Sequence, residues 1–302
     1  MKSEKNEIKA PEVGTGEMSS KESELLHKTW ARIEVSRNPN RPHALDYIGK
    51  IFSDFEEIRG DRHFSNDEAL IAGMGILRAD SPNQTKVFFL ANQKGRTTKQ
   101  KIVRNFAMAK PEGYRKAIRL LELAEQFKKP VFSFIDTPGA FPGIEAEERG
   151  QSEAIAKSIQ KMFEAKVPTI GVVIGEGGSG GALAIGVVDK LLMLSNSTYS
   201  VISPESCAAI LWGQSAEAKK AARALQLSAE NTFKLGICDQ IILEPDPGAH
   251  THFDKVTESL EAALLNHLGE ISKYSTEELL KKRFLKYRYI DERVTDFQKV
   301  LK

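Results

Sequence analysis

Cysteine is nearly absent from this chain of 302 residues: only Cys207 and Cys238 occur, far apart. Two distant cysteines form neither a disulfide framework nor a CxxC…CxxC zinc site, so a reducing cytoplasm is the expected compartment. No apolar run approaches the ~18 residues a membrane span needs. The most apolar stretch, residues 167–174, has the length of a strand. Net charge is also lacking, since 43 Lys and Arg oppose 41 Asp and Glu for a formal +2. That balance excludes bulk nucleic-acid affinity and leaves only local basic patches to consider. The first 22 residues contain no arginine and no apolar core, so neither a transit peptide nor a secretory signal is expected. The six histidines are scattered; His250 and His252 have no third histidine or carboxylate cluster beside them, and no metal site is expected.

What is present is an ordinary globular composition, 41% hydrophobic and 28% charged, long enough for one large α/β domain. Residues 1–20 are polar and read as a mobile tail, and 21–60 as a helical N-terminal extension, with helices at 22–36 and 44–58. Residues 61–250 alternate between strand and helix. Strands are expected at 69–77, 86–90, 130–135, 168–174, 191–194, 199–202 and 240–243. Helices are expected at 113–127 and 147–163, an apolar segment at 182–188, and mostly helix over 204–235. Residues 251–302 read as C-terminal helices. Buried-type strands alternating with helices define an α/β class with parallel character.

The most informative segment is IGEGGSGGALAIG at 174–186, where a buried strand ends and a helix should begin. Four of the five residues 177–181 are glycine. Glycines let the backbone take unusual angles and clear space for a ligand, while a helix start presents free N–H groups and a positive dipole end. Three chemistries suit such a turn. Gly175, Gly177 and Gly180 match G-x-G-x-x-G, but the acidic residue that should follow about 20 positions on is missing, and no G-K-[ST] supports a nucleotide P-loop. Residues 177–181 also match the G-x-S-x-G nucleophile elbow, with Ser179 as nucleophile and Asp239 and His250 or His252 as partners; a stand-alone serine hydrolase is the alternative function. The third reading is an oxyanion hole of main-chain amides from Gly180 and Gly181, each donor contributing roughly 3–4 kcal/mol in such sites. A tight strand-to-helix crossing with no ligand is the plain alternative. A second rigid loop, DTPGAFPG at 136–143, follows the strand at 130–135 and could bring the amides of Gly139 and Ala140 to face the first turn.

Six motifs occur together in order: ANQKGR at 91–96, PEGYRK at 111–116, DTPGAFPG at 136–143, EAEERGQSEA at 145–154, the turn at 175–186, and YSVISPE at 199–205. The chain thereby resembles the carboxyltransferase alpha subunit of multi-subunit acetyl-CoA carboxylase over about residues 37–245. The resemblance implies a crotonase-like (ClpP/crotonase) ββα superhelix with helical N- and C-terminal extensions. It implies an α2β2 heterotetramer with a beta subunit that carries the zinc ribbon, no metal in this chain, and a biotin carboxylase and biotin carboxyl carrier protein as further partners. The activity implied is transfer of the carboxyl group from carboxybiotin on the carrier to acetyl-CoA, making malonyl-CoA for fatty-acid synthesis. In that picture the Gly180 and Gly181 amides, with Gly139 and Ala140 facing them, stabilise the negative urea oxygen. Gly177, Gly178 and Ala182 border the biotin, and the partner's equivalent turn holds the acetyl thioester enolate. Biotin's own nitrogen takes the methyl proton, so no protein base is required.

Two positions depart from the family pattern: Glu145 and Ser206 stand where a small residue, often Gly, is expected. Both lie at loop or helix edges, so local adjustment is expected. Lys94, Arg96, Lys99, Lys101 and Arg104 form a run without an acid. Lys94 and Arg96 are candidates for the phosphates of the CoA thioester, against a solvated loop as the plain alternative. A nucleic-acid role lacks the interleaved aromatics it needs. Glu147, Glu148 and Arg149 suit a helix cap and an ion pair better than acid/base catalysis. Trp212 reads as core or subunit interface, and the apolar positions of the terminal helices as a partner surface or intradomain packing.

Overall fold

The computed structural model describes residues 20–77 and 84–290. The stretch read as a mobile tail lies outside the described residues apart from Ser20, as do the last 12 residues of the C-terminal region. The elements run α1 (Ser20–Ser36), α2 (Ala44–Ile51), β1 (Phe52–Glu57), β2 (Leu70–Leu77), β3 (Thr85–Asn92), α3 (Thr98–Val103) and α4 (Pro111–Phe127). They continue as β4 (Val131–Thr137), α5 (Ile144–Glu148), α6 (Gln151–Glu164), β5 (Thr169–Gly178), α7 (Ser179–Gly186), β6 (Lys190–Leu194) and β7 (Thr198–Ser200). Then come α8 (Pro204–Trp212), α9 (Ala218–Ala224), α10 (Ala229–Lys234), β8 (Gln240–Ile242), α11 (Phe253–Ile271) and α12 (Thr276–Arg288).

Seven strands form one sheet in the order β1-β2-β3-β4-β5-β6-β8, with β7 added beside the end of β5. The β1–β2 and β2–β3 pairs are antiparallel, and the rest are parallel. Strand β4 is buried along its whole length, as a strand covered on both faces must be. Its alternate side chains go to different cores. Val131 and Ile135 join Leu120, Leu121, Met162 and Ile185 beneath α4, α6 and α7. Phe132 and Phe134 join Tyr47, Phe52, Leu260 and Leu264 beneath α2 and α11. At about 25 cal/mol per Å² of apolar surface removed from water, these two layers carry most of the fold's stability.

The segment read as one helix over 44–58 divides into α2 and β1. Ile51, Phe55 and Ile58 are spaced for a helix, but Phe52 stacks on Phe89 and Phe55 tilts against the same ring. Pairing with the edge of β2 therefore wins. The helix expected at 147–163 divides into α5 and α6 at Gly150, whose φ of 79° is left-handed. The helical region over 204–235 becomes α8, α9 and α10, with Gly213 ending α8 in a left-handed cap.

At the C-terminal side, Arg283 of α12 is 1% exposed. Its guanidinium donates to the Phe163 and Ala165 carbonyls at 3.1 and 2.6 Å, to the Val167 carbonyl at 3.2 Å, and to both Asp189 oxygens at 2.9 and 2.8 Å. It thus serves carbonyls that the end of α6 leaves without helical partners. This side chain locks α12 onto the core.

Candidate functional site

The site forms where β4 and β5 end side by side, the end of an open α/β sheet at which ligands bind. Up to Ile135 opposite Val173 the two strands are in register; the next pair is Thr137 opposite Gly177. One residue of β4, Asp136, therefore faces three of β5: Ile174, Gly175 and Glu176. Such a bulge re-aims the strand and leaves main-chain groups without ladder partners. Side chains supply them. Arg41 donates from Nε to the Ile174 carbonyl at 2.8 Å, and Asp136 Oδ1 accepts the Glu176 N–H at 2.9 Å. Past the bulge β5 changes its neighbour from β6 to β7, with Gly177 opposite Tyr199.

No loop separates β5 from the helix. Strand runs to Gly178 and α7 begins at Ser179. The junction is made by Ser179 itself, in the left-handed region with φ of 52°. The amides of Ser179, Gly180 and Gly181 occupy the first turn of α7, where an α-helix provides no carbonyl for them. Gly180 is partly exposed and Gly181 is buried, with Ala182 beneath them.

The glycines are required by close approach. A Cβ on Gly178 would stand 2.1 Å from the Pro138 oxygen, and one on Gly177 2.4 Å from the Tyr199 ring. A Cβ on Gly181 would meet the Gly139 carbonyl carbon at 2.5 Å and the Ala140 nitrogen at 2.7 Å. The loop after β4 and the first turn of α7 thus touch through main chain, bringing Gly139, Ala140 and Gly181 together. On Gly180 a Cβ would meet only the Ile155 side chain, at 3.4 Å, and on Gly139 nothing within 4 Å. Thr137 fixes the loop from below, donating from Oγ1 to the Gly139 carbonyl at 2.7 Å.

Around this junction run alternating charges. Lys94 Nζ lies 2.7 Å from Asp136 and 3.2 Å from Glu176. Arg37 donates to Glu176 at 2.8 Å and to Glu205 at 2.6 Å. Burial opposes the Lys94 ammonium, but the two carboxylates outweigh it and raise its pKa. Burial likewise opposes the Glu176 carboxylate, and Lys94 and Arg37 outweigh it and hold its pKa below the ordinary range. Next to them a cavity of about 300 Å³ is bounded by Arg37, His43, Lys94, Lys101, Phe106 and Pro138. On the other side of Pro138 and Glu176, a small recess is lined by Gly177, Gly178, Thr198 and Ser200.

The expected cations are already paired. Lys94 belongs to the cluster just described, and Arg96 reaches Asp46. The run that reads as a solvated loop includes helix α3, closed by a Thr97–Gln100 capping box. The hydrolase partners are not brought to Ser179. Asp239 accepts the Leu191 N–H at 2.7 Å and pairs with Lys286, and His252 turns its ring to the Asp246 carbonyl at 3.1 Å. Arg149 pairs with buried Glu112 at 2.6 Å. Glu145 lies 3.5 Å from Lys110, and Ser206 joins the Ser203 cap of α8, so both unusual residues are accommodated locally. Trp212 packs on Cys207, Ala208 and Ala221 under Lys220. Sequence reasoning missed Arg37, Arg41, Asp136, Glu176 and Glu205. Their one visible signal was that Asp136 and Glu176 close two neighbouring strands. Among the described residues no group of three or more His, Cys, Asp or Glu could hold a metal ion, and no helix is long and apolar enough to cross a membrane.

Comparison with known proteins gives consistent matches. The profile of the family described as acetyl co-enzyme A carboxylase carboxyltransferase-like matches residues 3–291. The chain is 54% identical, over 85% of its length and 78% of the relative's, to the acetyl-coenzyme A carboxylase carboxyl transferase subunit alpha of Alcanivorax borkumensis. To the subunit of the same name from Haemophilus influenzae it is 50% identical over 88% of this chain and 85% of the relative. Among solved structures, the transcarboxylase 12S hexamer core is similar with a TM-score of 0.57 at 21% identity, covering 78% of this chain and 44% of that one. A chain of a Pseudomonas malonate decarboxylase hetero-tetramer in complex with coenzyme A also gives 0.57, at 17% identity, covering 76% and 89%. These structures share the mixed α/β architecture of this chain.

Proposed function

Because the chain belongs to the acetyl-CoA carboxylase carboxyltransferase family, as its alpha subunit in malonyl-CoA formation, we propose that the junction of β5 and α7 is its transfer site and that main-chain amides do the work. The observation that carries this reading is the contact of Gly139 and Ala140 with Gly181, which fixes two loops around one helix start. Gly180 and Gly181 present N–H groups at the positive end of α7. Donors placed in advance, in a site away from bulk water, favour whatever oxygen gains negative charge as the carboxyl group moves.

Carboxybiotin, carried by a separate protein, supplies the carboxyl group when bound. The residues present fit a flat urea on one observation: a Cβ on Gly139 would meet nothing within 4 Å, so the space over that loop is open, while Gly177 and Gly178 line the adjoining recess. Gly180 and Gly181 would hold its oxygen, with Gly177, Gly178 and Ala182 at the border. The nearest carboxylates, Asp136 and Glu176, are held by Lys94 and Arg37. These two carboxylates are therefore engaged, and the site offers main-chain donors. Acetyl-CoA, the carrier, a biotin carboxylase and a beta subunit in an α2β2 assembly complete the proposed system, working in the cytoplasm. Since Lys94 and Arg96 are paired within the chain, CoA phosphates are assigned chiefly to the beta subunit.

The test is reconstitution. This chain, mixed with a zinc-containing beta subunit and carboxylated carrier, should form malonyl-CoA from acetyl-CoA, and the Ser179→Ala complex should retain most of that rate. Hydrolysis by the chain alone that disappears in Ser179→Ala, with no transfer by the complex, would overturn the reading.

A further inference from the structure

The bulge in β5 is held by side chains from three neighbouring strand ends. Lys94 follows β3, Asp136 lies in β4 and Glu176 in β5. Asp136 Oδ1 receives both the Glu176 N–H at 2.9 Å and Lys94 Nζ at 2.7 Å. A Cβ at Gly175 would stand 2.3 Å from the same oxygen, so the carboxylate lies directly on the bulged main chain. Lys94 also reaches Glu176 Oε2 at 3.2 Å, and Arg37 takes Oε1 of the same carboxylate at 2.8 Å. Glu176 is thus pinned by its main chain and by both carboxylate oxygens. Two residues later comes Gly178, already in main-chain contact with Pro138, and then the helix start. Between the ladder pairs Ile135–Val173 and Thr137–Gly177, β4 contributes no ladder pair to this alignment, and on the other side Glu176 pairs with Thr198 of β7.

We propose that Lys94 is a positioning residue for carboxyl transfer: it ties Asp136 to Glu176 across the bulge and thereby sets where the Gly180 and Gly181 amides stand. The inference rests on the amide reading of the site. Without the ammonium, Asp136 and Glu176 are two like charges on neighbouring strands, at a bulge where no β4–β5 ladder pair restrains them. They separate, and the first turn of α7 moves with Glu176. A displacement on the order of 1 Å at reacting groups costs up to about 100-fold in rate. Substrate contacts away from the turn are untouched, so binding should survive.

The experiment uses the complex of this chain with its beta subunit and carboxylated carrier. In Lys94→Met, kcat for malonyl-CoA formation should fall roughly 10- to 100-fold while KM for acetyl-CoA stays within about twofold. Lys94→Arg, which keeps a cation, should recover at least part of the loss. Where Lys94→Met fails to assemble, the double variant Lys94→Met/Glu176→Gln removes one charge of each sign and leaves the cluster's net charge unchanged. It should assemble and still show the kcat defect. Native kcat in either assembled variant overturns the inference, as does a rise in KM with kcat preserved. The amide reading itself fails separately, if converting the Gly180 and Gly181 amides to esters leaves kcat unchanged.

Discussion

Alanine at Gly181 and alanine at Gly180 are a matched pair of perturbations, each adding one methyl group to adjacent residues of the same helix turn. Their surroundings differ sharply. At Gly181 the new carbon would stand 2.5 Å from the Gly139 carbonyl carbon, 2.7 Å from its oxygen and 2.7 Å from the Ala140 nitrogen. Favourable carbon contacts lie near 3.5–4.0 Å, so the loop after β4 must retreat by about 1 Å, and those atoms are main chain that cannot rotate away. Overpacking of this kind costs about 1–3 kcal/mol of stability. A 1 Å error in donor placement lowers kcat by up to about 100-fold, equivalent to ~2.7 kcal/mol of transition-state stabilisation. At Gly180 the added carbon meets only Ile155 Cγ2, at 3.4 Å, and that side chain can shift by a few tenths of an ångström. The expected kcat for Gly180→Ala is within about threefold of native. Both variants are assayed for malonyl-CoA formation in the reconstituted complex, with assembly checked by size-exclusion chromatography. Equal activities, or a greater loss in Gly180→Ala than in Gly181→Ala, would refute the claim that the Gly139–Gly181 contact sets the donors.

Other outcomes follow from groups outside the turn. Arg283→Met strips Asp189 and the α6-end carbonyls of a buried cation. Breaking such a pair costs about 3–5 kcal/mol, so Tm should drop by roughly 10 °C in thermal unfolding, and an unchanged Tm would show that α12 is held by something else. Burial opposes the Glu244 carboxylate, but the Arg41 fork and the Asn196 and Ala249 N–H groups hold its pKa below the ordinary 4.5. A lowered folded-state pKa means the stabilisation is fully present above the unfolded value and is lost as pH falls through the folded one. Glu244→Gln should therefore flatten the acid limb of the stability–pH curve below about pH 5. An acid limb identical to that of the native chain would contradict the assignment.

Much of this architecture was readable from residue order. Strands β4 and β5 are continuous apolar runs because both their faces are covered, and the glycine and proline punctuation after them marked the two loops that meet. Helix α4 was readable because Tyr114, Ala117, Leu120, Leu121 and Ala124 recur on one face. Strand β1 was hidden, since Ile51, Phe55 and Ile58 satisfy a helical spacing and only the rings of Phe89 and Phe52 decide for pairing. The direct passage from strand to helix at Ser179 was hidden as well, because a serine is not the residue that positive φ predicts. Least legible was the cluster of Arg37, Lys94, Asp136, Glu176 and Glu205. Its members lie up to 168 positions apart, and a run of cations in sequence carries no sign of which one the fold will pair with two carboxylates. Lys94 reads like its neighbours; only the meeting of three strand ends distinguishes it.

The central claim is that hydrogen-bond donation by two consecutive main-chain amides drives the transfer. Replacing Gly180, and separately Gly181, with glycolic acid converts one amide N–H into an ester oxygen, adds no Cβ and so removes a donor without the collision that a side chain would bring. Kinetics of the assembled complex should show kcat reduced by roughly 10²- to 10³-fold for each ester, with KM for acetyl-CoA little changed. Native kcat in both ester complexes would contradict it.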